Sequence, residues 1–150
     1  MSRKTERAMT ITFRRGGRGC AWTALRPPRS VVAGPTMAAG GDLPHDLYHF
    51  VIEDALDFEF GFWGCVAHGA TFATLGRKRT PQGNEVIARH LDDLDEAESK
   101  VNDIYFAWRA GRPTDLDDEL NAMLARWRAV PDGGELVVSW RMERRPLRRR

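Results

Sequence analysis

Apolar and polar residues alternate near the start of the chain, which predicts a β-hairpin. Met9–Phe13 alternates, three glycines at positions 16, 17 and 19 interrupt the pattern, and Cys20–Leu25 resumes it. Alternation with a period of two is typical of a strand with one buried face, and the glycines permit a tight reversal. Pro27 and Pro28 cannot donate hydrogen bonds to a sheet, so we expect the second strand to end before them.

A third strand is predicted close to the end of the chain. Pro131–Gly134 is typical of a turn, and Glu135–Met142 has the composition and partial alternation of a strand. By contrast, Ser30–Leu43 is rich in Gly, Pro and Ala and has little periodicity, so we predict a loop there.

Apolar residues at helical spacing occupy most of the middle of the chain. The first helix is predicted from His45 to about Phe60 or Gly61, with apolar residues on two flanks. Only one strip of this helix is predicted to face water, and it holds Asp46, Phe50, Asp54 and Asp57. A helix with so narrow a polar strip belongs at the centre of the fold.

Further helices are predicted after this central one. Phe60–Gly69 is apolar and rich in small residues, which favours a short buried helix, and Thr71–Gly83 is predicted to be an exposed loop. Asn84 is expected to cap a long helix that ends at Gly111, and Pro113 with Thr114 to open another.

The order of these elements predicts an α+β fold. The N-terminal β-hairpin and the C-terminal strand would form a small antiparallel sheet covered by three to four helices. An orthogonal helical bundle with a peripheral hairpin is the alternative. We expect one α+β domain over residues 9–143, a disordered extension over 1–8 and an arginine-rich tail over 144–150.

Composition excludes several classes of protein. The chain has 150 residues, 42% of them hydrophobic and 29% charged, which is typical of one globular domain. No apolar run approaches the roughly 18–20 residues of a membrane span, and no secretory apolar segment follows the basic start. Cys20 and Cys65 are far apart and match no zinc or redox spacing. We therefore expect a cytoplasmic protein without disulfides.

Charge is unevenly distributed, with basic ends around an acidic middle. Residues 141–150 contain six arginines at positions 141, 144, 145, 148, 149 and 150, against Glu143 alone. Clustered arginines can bind nucleic-acid phosphates, but no aromatic residue lies between them to stack on bases. The alternative, which we favour, is a solubilising tail that folds back onto the acidic helices.

The strongest candidate for chemistry is a row of side chains on the predicted central helix. His45, His49 and Glu53 follow one another at intervals of four residues, so they wind along one side of the helix. Two imidazoles one turn apart can hold a divalent cation, most readily Zn²⁺, and Glu53 can serve as a third ligand or a base. Such an ion would activate a bound water molecule.

This pattern differs from the H-E-x-x-H signature, because Asp46 stands where that motif has its glutamate base. His68, or Cys65, can supply a further ligand if the next segment folds back across the helix. Glu98 interrupts an apolar stripe, so it is either a buried acid that faces the histidines or an edge residue whose carboxylate reaches water. The alternative is structural: the histidines bond to backbone groups and Glu53 is solvated.

The segment that carries these residues resembles one found in a family of small bacterial proteins of actinobacterial type. That family has a Pro-His-Asp-Leu-x-His-x-x-Val-Glu-like stretch after an N-terminal hairpin. The matching residues here are Leu43, Pro44, His45, Asp46, Leu47, His49, Phe50 and Glu53, followed by Phe60–Gly64. No activity, cofactor or partner is known for that family, so the resemblance implies no function.

The sequence is compatible with three functions. The first is a single-domain protein with a divalent-metal site at His45, His49 and Glu53. The second is a non-enzymatic interaction module or homodimer that uses the apolar Phe60–Trp63 segment or the acidic helix over 84–110. The third is nucleic-acid binding through the basic termini. The sequence assigns no reaction and no substrate.

Overall fold

The structure, a computed structural model, describes residues 7–70 and 81–144 and contains one antiparallel sheet and five helices in these ranges. The strands are β1 (Ala8–Gly16), β2 (Gly19–Arg26), β3 (Ser30–Ala33), β4 (Met37–Ala38) and β5 (Glu135–Arg141). Their order in the sheet is β3-β2-β1-β5, with the short β4 also paired to β2. The predicted α+β class is confirmed, and the predicted hairpin and C-terminal strand are three of its strands.

Alternation along the strands builds the apolar face of the sheet. Phe13 on the central strand β1 lies opposite Trp22 on β2 and Leu136 on β5, and all three side chains are buried. Residues between these positions point to the other face and are more exposed. The β-hairpin and β5 therefore form one continuous inner surface for the helices to cover.

The described helices are α1 (His45–Ala55), α2 (Phe62–Ala67), α3 (Pro81–Arg89), α4 (Leu91–Arg109) and α5 (Asp117–Arg128). They lie against this surface with α1 at the centre, and eight consecutive residues of α1, from 46 to 53, are buried. The ring of Phe50 contacts that of Trp140 on β5, while the ring of Tyr48 stacks on Tyr105 of α4. The predicted central position of this helix is confirmed.

Two predicted helix boundaries are wrong. The first helix ends at Ala55 rather than near Phe60, because Asp57 adopts the left-handed conformation with φ of 58°. The predicted long helix from Asn84 is interrupted at His90, whose ring stacks on Phe60 at 3.5 Å between centroids.

The predicted loop over Ser30–Leu43 is also wrong in part. It contains β3 and β4, which pair with opposite ends of β2. These strands are four and two residues long, so they contain too few residues for periodicity to reveal them. Most of the predicted loop over Thr71–Gly83 lies outside the described residues, although the helix α3 already begins at Pro81.

The two ends of the described chain can be compared with the predicted extension over 1–8 and the predicted tail over 144–150. β1 begins at Ala8, one residue before the predicted domain start, and residues 1–6 lie outside the description. Arg144 forms an ion pair with Asp54 of α1, and Arg141 pairs with Asp57. These two arginines thus fold back onto acidic residues, while 145–150 lie outside the described residues. None of the described helices is both long and apolar enough to cross a bilayer.

Candidate metal centre

Three potential ligands from two helices converge at one place on the molecule. His45 and His49 lie one turn apart on α1, with ring centroids separated by 4.6 Å. Glu98 of α4 faces them, and its Oε2 lies 3.2 Å from Nε2 of His49. One ligand atom from each residue can be chosen so that all three lie within 4.8 Å of one another. The group is therefore close enough to hold a metal ion.

The buried nitrogen of His49 is the most informative atom of this group. Nε2 is shielded from solvent and has no hydrogen-bond partner in the described part of the chain. Its 3.2 Å separation from Oε2 of Glu98 satisfies the distance of an ion pair but not the directions of a hydrogen bond. Two ligands of a tetrahedral zinc ion, each about 2.0–2.2 Å from the metal, lie about 3.3–3.5 Å apart. The observed separation of 3.2 Å is close to the short end of this range, so a small movement of Glu98 would let the two atoms share an ion.

Glu53 orients the ring of His49 through the ring nitrogen Nδ1. Its Oε2 lies 2.8 Å from Nδ1 of His49, and its Oε1 accepts the backbone N–H of Trp63 at 3.0 Å. The carboxylate is fully buried. We assign the proton to Nδ1 from this hydrogen bond, which leaves the lone pair of Nε2 free to bind a metal. A carboxylate behind a histidine ligand is the usual support of such a ligand.

Asp46 supports the ring of His45 as Glu53 supports that of His49. Its Oδ1 lies 3.0 Å from Nδ1 of His45, and its Oδ2 accepts the indole N–H of Trp22 at 2.7 Å. The sequence placed Asp46 and Phe50 on the exposed strip of the helix, and this prediction is wrong, because both are buried. Trp22 of β2 covers Asp46, and that long-range contact leaves no trace in the periodicity of the helix.

The carboxylates around His49 also affect its protonation. Burial by itself lowers the pKa of His49, but the hydrogen bond and negative charge of Glu53 raise it, and Glu98 and Asp46 add to this effect. The net result is a raised pKa. Negative charge that stabilises an imidazolium would stabilise a divalent cation at Nε2 for the same electrostatic reason.

A close backbone approach fixes Glu53 in position. Gly61 precedes α2, and a Cβ atom there would lie 2.5 Å from Oε1 of Glu53. Only glycine leaves room for the carboxylate to reach the N–H of Trp63. The glycine-rich segment after α1 is therefore part of the support of the candidate site.

Only some of the ligands proposed from the sequence lie together. His45 and His49 are brought together as predicted. Glu53 is bonded to Nδ1 of His49, whereas Glu98 lies near Nε2 of the same ring. His68 is exposed, and its ring lies against Phe60 at 4.9 Å, outside the group. Glu98 faces the histidines, as the first alternative stated for it requires, but its side chain is half exposed rather than buried, as in the second.

The Phe60–Trp63 segment is used inside the fold. Phe60 stacks on His90, Phe62 contacts the rings of Trp22 and Trp63, and Trp63 is fully buried. The contacts described for this segment therefore lie within the fold, and its use by an interaction module stays a prediction.

Comparisons of the chain with family models, with curated proteins and with solved structures found no match. The resemblance of the segment around His45 stays a prediction. The geometry of the site is therefore the basis for assigning a function.

Proposed function

We propose that the protein binds one divalent metal ion through His45, His49 and Glu98, with Zn²⁺ as the first candidate. The observation that carries this proposal is the buried Nε2 of His49, which lacks a hydrogen bond and lies 3.2 Å from a carboxylate oxygen of Glu98. Leaving a buried polar atom without a partner costs about 1–3 kcal/mol, and a bound ion would remove this cost.

The composition of the ligand set favours a reactive site over a purely structural one. Structural zinc sites are closed by four protein ligands, whereas catalytic sites have three and keep one position for water. Two histidines and a glutamate leave such a position, and His45 and Glu98 are each about half exposed to solvent. The chemistry we propose is activation of a metal-bound water molecule, whose pKa the ion lowers to about 7.

The same ligands also suit Fe²⁺, because two histidines and one carboxylate form the facial triad of non-haem iron proteins. The experiment must therefore identify the metal. Protein purified without a histidine tag should contain close to one equivalent of metal by elemental analysis. Addition of Zn²⁺ to the metal-free protein should raise its melting temperature.

Variants test whether the named residues hold this ion. His49 is buried, so His49→Ala can fail to fold, but Glu98→Gln changes a half-exposed side chain and should fold normally. We expect Glu98→Gln to lose most of the thermal shift on zinc addition, and Glu119→Gln, an exposed glutamate on α5, to keep it. Metal-free purified protein together with an absent thermal shift would refute the proposal.

A cytoplasmic location is part of the proposal. Cys20 and Cys65 are both buried and free, which is consistent with a reducing compartment. Periplasmic or secreted material would contradict this part.

A further inference from the structure

A cavity of about 480 Å³ lies beside the candidate metal centre. His45, at the start of α1, is both a member of the ligand group and part of the cavity wall. Other parts of the wall come from Arg18 in the β1–β2 turn, Leu43, Tyr48 and Tyr105. A volume between about 300 and 1,000 Å³ is typical of pockets for small molecules.

The charge in this cavity comes from Arg18. Arg18 is exposed and forms no ion pair or side-chain hydrogen bond with any residue of the described chain. The acidic residue in the wall, Asp42, is already paired with Arg109 at 2.9 Å. The guanidinium of Arg18 is thus free to bind a carboxylate or phosphate group, for which its planar geometry is suited.

The rest of the wall is apolar and held in place. Tyr48 and Tyr105 stack in parallel, 3.7 Å apart, and the wall also contains Leu43 and two alanines. The backbone carbonyl of Arg18 accepts the N–H groups of Ala39 and Gly40, which fastens the opposite segment to the hairpin turn. These contacts hold both sides of the cavity wall in place.

We propose that this cavity binds a small molecule that carries an anionic group on an aromatic body. Arg18 binds the anion, the tyrosine side of the wall contacts the ring, and the molecule reaches the ion at His45. This inference rests on the proposed metal site and assigns the class of molecule on which that site acts.

Isothermal titration of zinc-loaded protein with benzoate and with phenyl phosphate tests the inference. We expect both anions to bind at millimolar concentration or below, and the tighter one to identify the preferred anion. Arg18→Ala should weaken binding at least about tenfold, because a charge-assisted contact is lost. Arg29→Ala, which removes an exposed arginine outside the cavity wall, should not change it.

Three results of these titrations would overturn the inference. These are the absence of binding by both anions, unchanged affinity in Arg18→Ala, and equally tight binding of the uncharged analogue benzyl alcohol.

Replacement of zinc by paramagnetic Co²⁺ should speed the relaxation of the ring protons of bound benzoate several-fold. Equal relaxation of these protons in the zinc-loaded and the cobalt-loaded protein would place the ligand away from the metal and would also overturn the inference.

Zinc affinity, measured separately by competition with a chromophoric chelator, separates this inference from the proposed function. Arg18→Ala should bind zinc as tightly as the unaltered protein. If the unaltered protein binds no zinc, the metal proposal and its assigned substrate class fail together. If zinc binds normally and the anions do not, only the inference about the cavity fails.

Discussion

Tyr48 of α1 and Tyr105 of α4 stack face to face, with ring planes only 9° apart and centroids 3.7 Å apart. This contact joins the two helices that carry the candidate ligands. Tyr48 adjoins His49 in the chain, and Tyr105 lies seven residues after Glu98, hence on nearly the same face of α4. The stack therefore sets how far Glu98 stands from the histidines.

Tyr105→Ala should loosen this arrangement. We expect the free energy of unfolding to fall by about 1–3 kcal/mol, because a half-buried ring and its stacking are lost. Zinc affinity should fall several-fold, since Glu98 is no longer held at its distance from His49. Tyr105→Phe keeps the ring and is the control. Urea unfolding and chelator competition measure the two effects, and unchanged zinc affinity in Tyr105→Ala would show that the stack does not position Glu98.

Glu53→Gln should weaken metal binding although Glu53 is not among the three proposed ligands. An amide can accept the N–H of Trp63 but then presents its NH₂ group to Nδ1 of His49. Nδ1 must then accept a hydrogen bond, so the ring proton moves to Nε2 and the lone pair that binds the metal is lost. Loss of such a supporting carboxylate typically costs about 10- to 100-fold in affinity.

The matched control for this variant is Glu98→Gln, which alters a proposed ligand directly. Both variants should lower zinc affinity, but only Glu53→Gln should shift the ¹⁵N resonances of His49 toward the other tautomer in the metal-free protein. An unchanged tautomer with unchanged zinc affinity would disprove the role assigned to Glu53.

The two cysteines should be inert in the folded protein and should make its stability depend on alkaline pH. Burial, with nearby negative charge, raises the pKa of Cys20 and of Cys65 to about 12, against 9.0 for a free thiol. At pH 8 the folded protein then holds about a thousandfold less thiolate than the unfolded chain. A thiol whose pKa is raised by folding stabilises the protein below pH 9, and this contribution decreases as pH rises above 9 toward 12.

Reaction with a chromogenic disulfide reagent at pH 8 checks the first part. Both thiols should react only after unfolding in urea, and rapid modification of the folded protein would contradict the predicted burial effect. Unfolding measured between pH 8 and 10.5 checks the second part. Cys20→Ala with Cys65→Ala should show a shallower loss of stability over this range than the unaltered chain.

Arg144 should contribute to stability despite its position near the end of the chain. Its side chain is fully covered, its guanidinium lies 3.4 Å above the ring of Trp140, and it pairs with Asp54 at 2.6 Å. We expect Arg144→Ala to lower the unfolding free energy by about 1–3 kcal/mol. Arg144→Lys should recover less than half of this loss, because an ammonium group cannot stack as a planar guanidinium does.

Arg112→Ala, at an exposed arginine without a side-chain partner in the described chain, should change stability by less than about 0.5 kcal/mol. Thermal and urea unfolding of the three variants gives the comparison. Equal stability of Arg144→Ala and Arg112→Ala would mean that the contacts of Arg144 contribute nothing measurable.

The sequence predicted those parts of the fold that depend on local periodicity. The β1–β2 hairpin, β5 and the central helix each follow from alternation or helical spacing over several residues. What the sequence missed depends on contacts between distant segments. β3 pairs with the edge of β2 that β1 does not occupy, and the break at His90 coincides with the stacking of Phe60 on its ring.

In the candidate site, too, the features set by local spacing were predicted and those set by distant contacts were missed. The pairing of His45 with His49 is local and was predicted from their spacing, and Glu98 was noted because it interrupts an apolar stripe. Which carboxylate faces Nε2 of His49 depends on the packing of α4 against α1, and no pattern within one helix contains that information. For the same reason the role of Asp46 was missed, because it is set by Trp22 on a strand.

Each carboxylate that supports a histidine is also bonded to a tryptophan: Asp46 to the indole of Trp22, and Glu53 to the backbone of Trp63. Trp63 in turn donates its indole N–H to the main-chain oxygen of Asp46. A change of charge on His45 therefore reaches the indole of Trp22 through one carboxylate, and a change of charge on His49 reaches the main chain of Trp63 through another. The protein carries its own optical reporter, and its intrinsic emission can follow occupation of the site without any added dye.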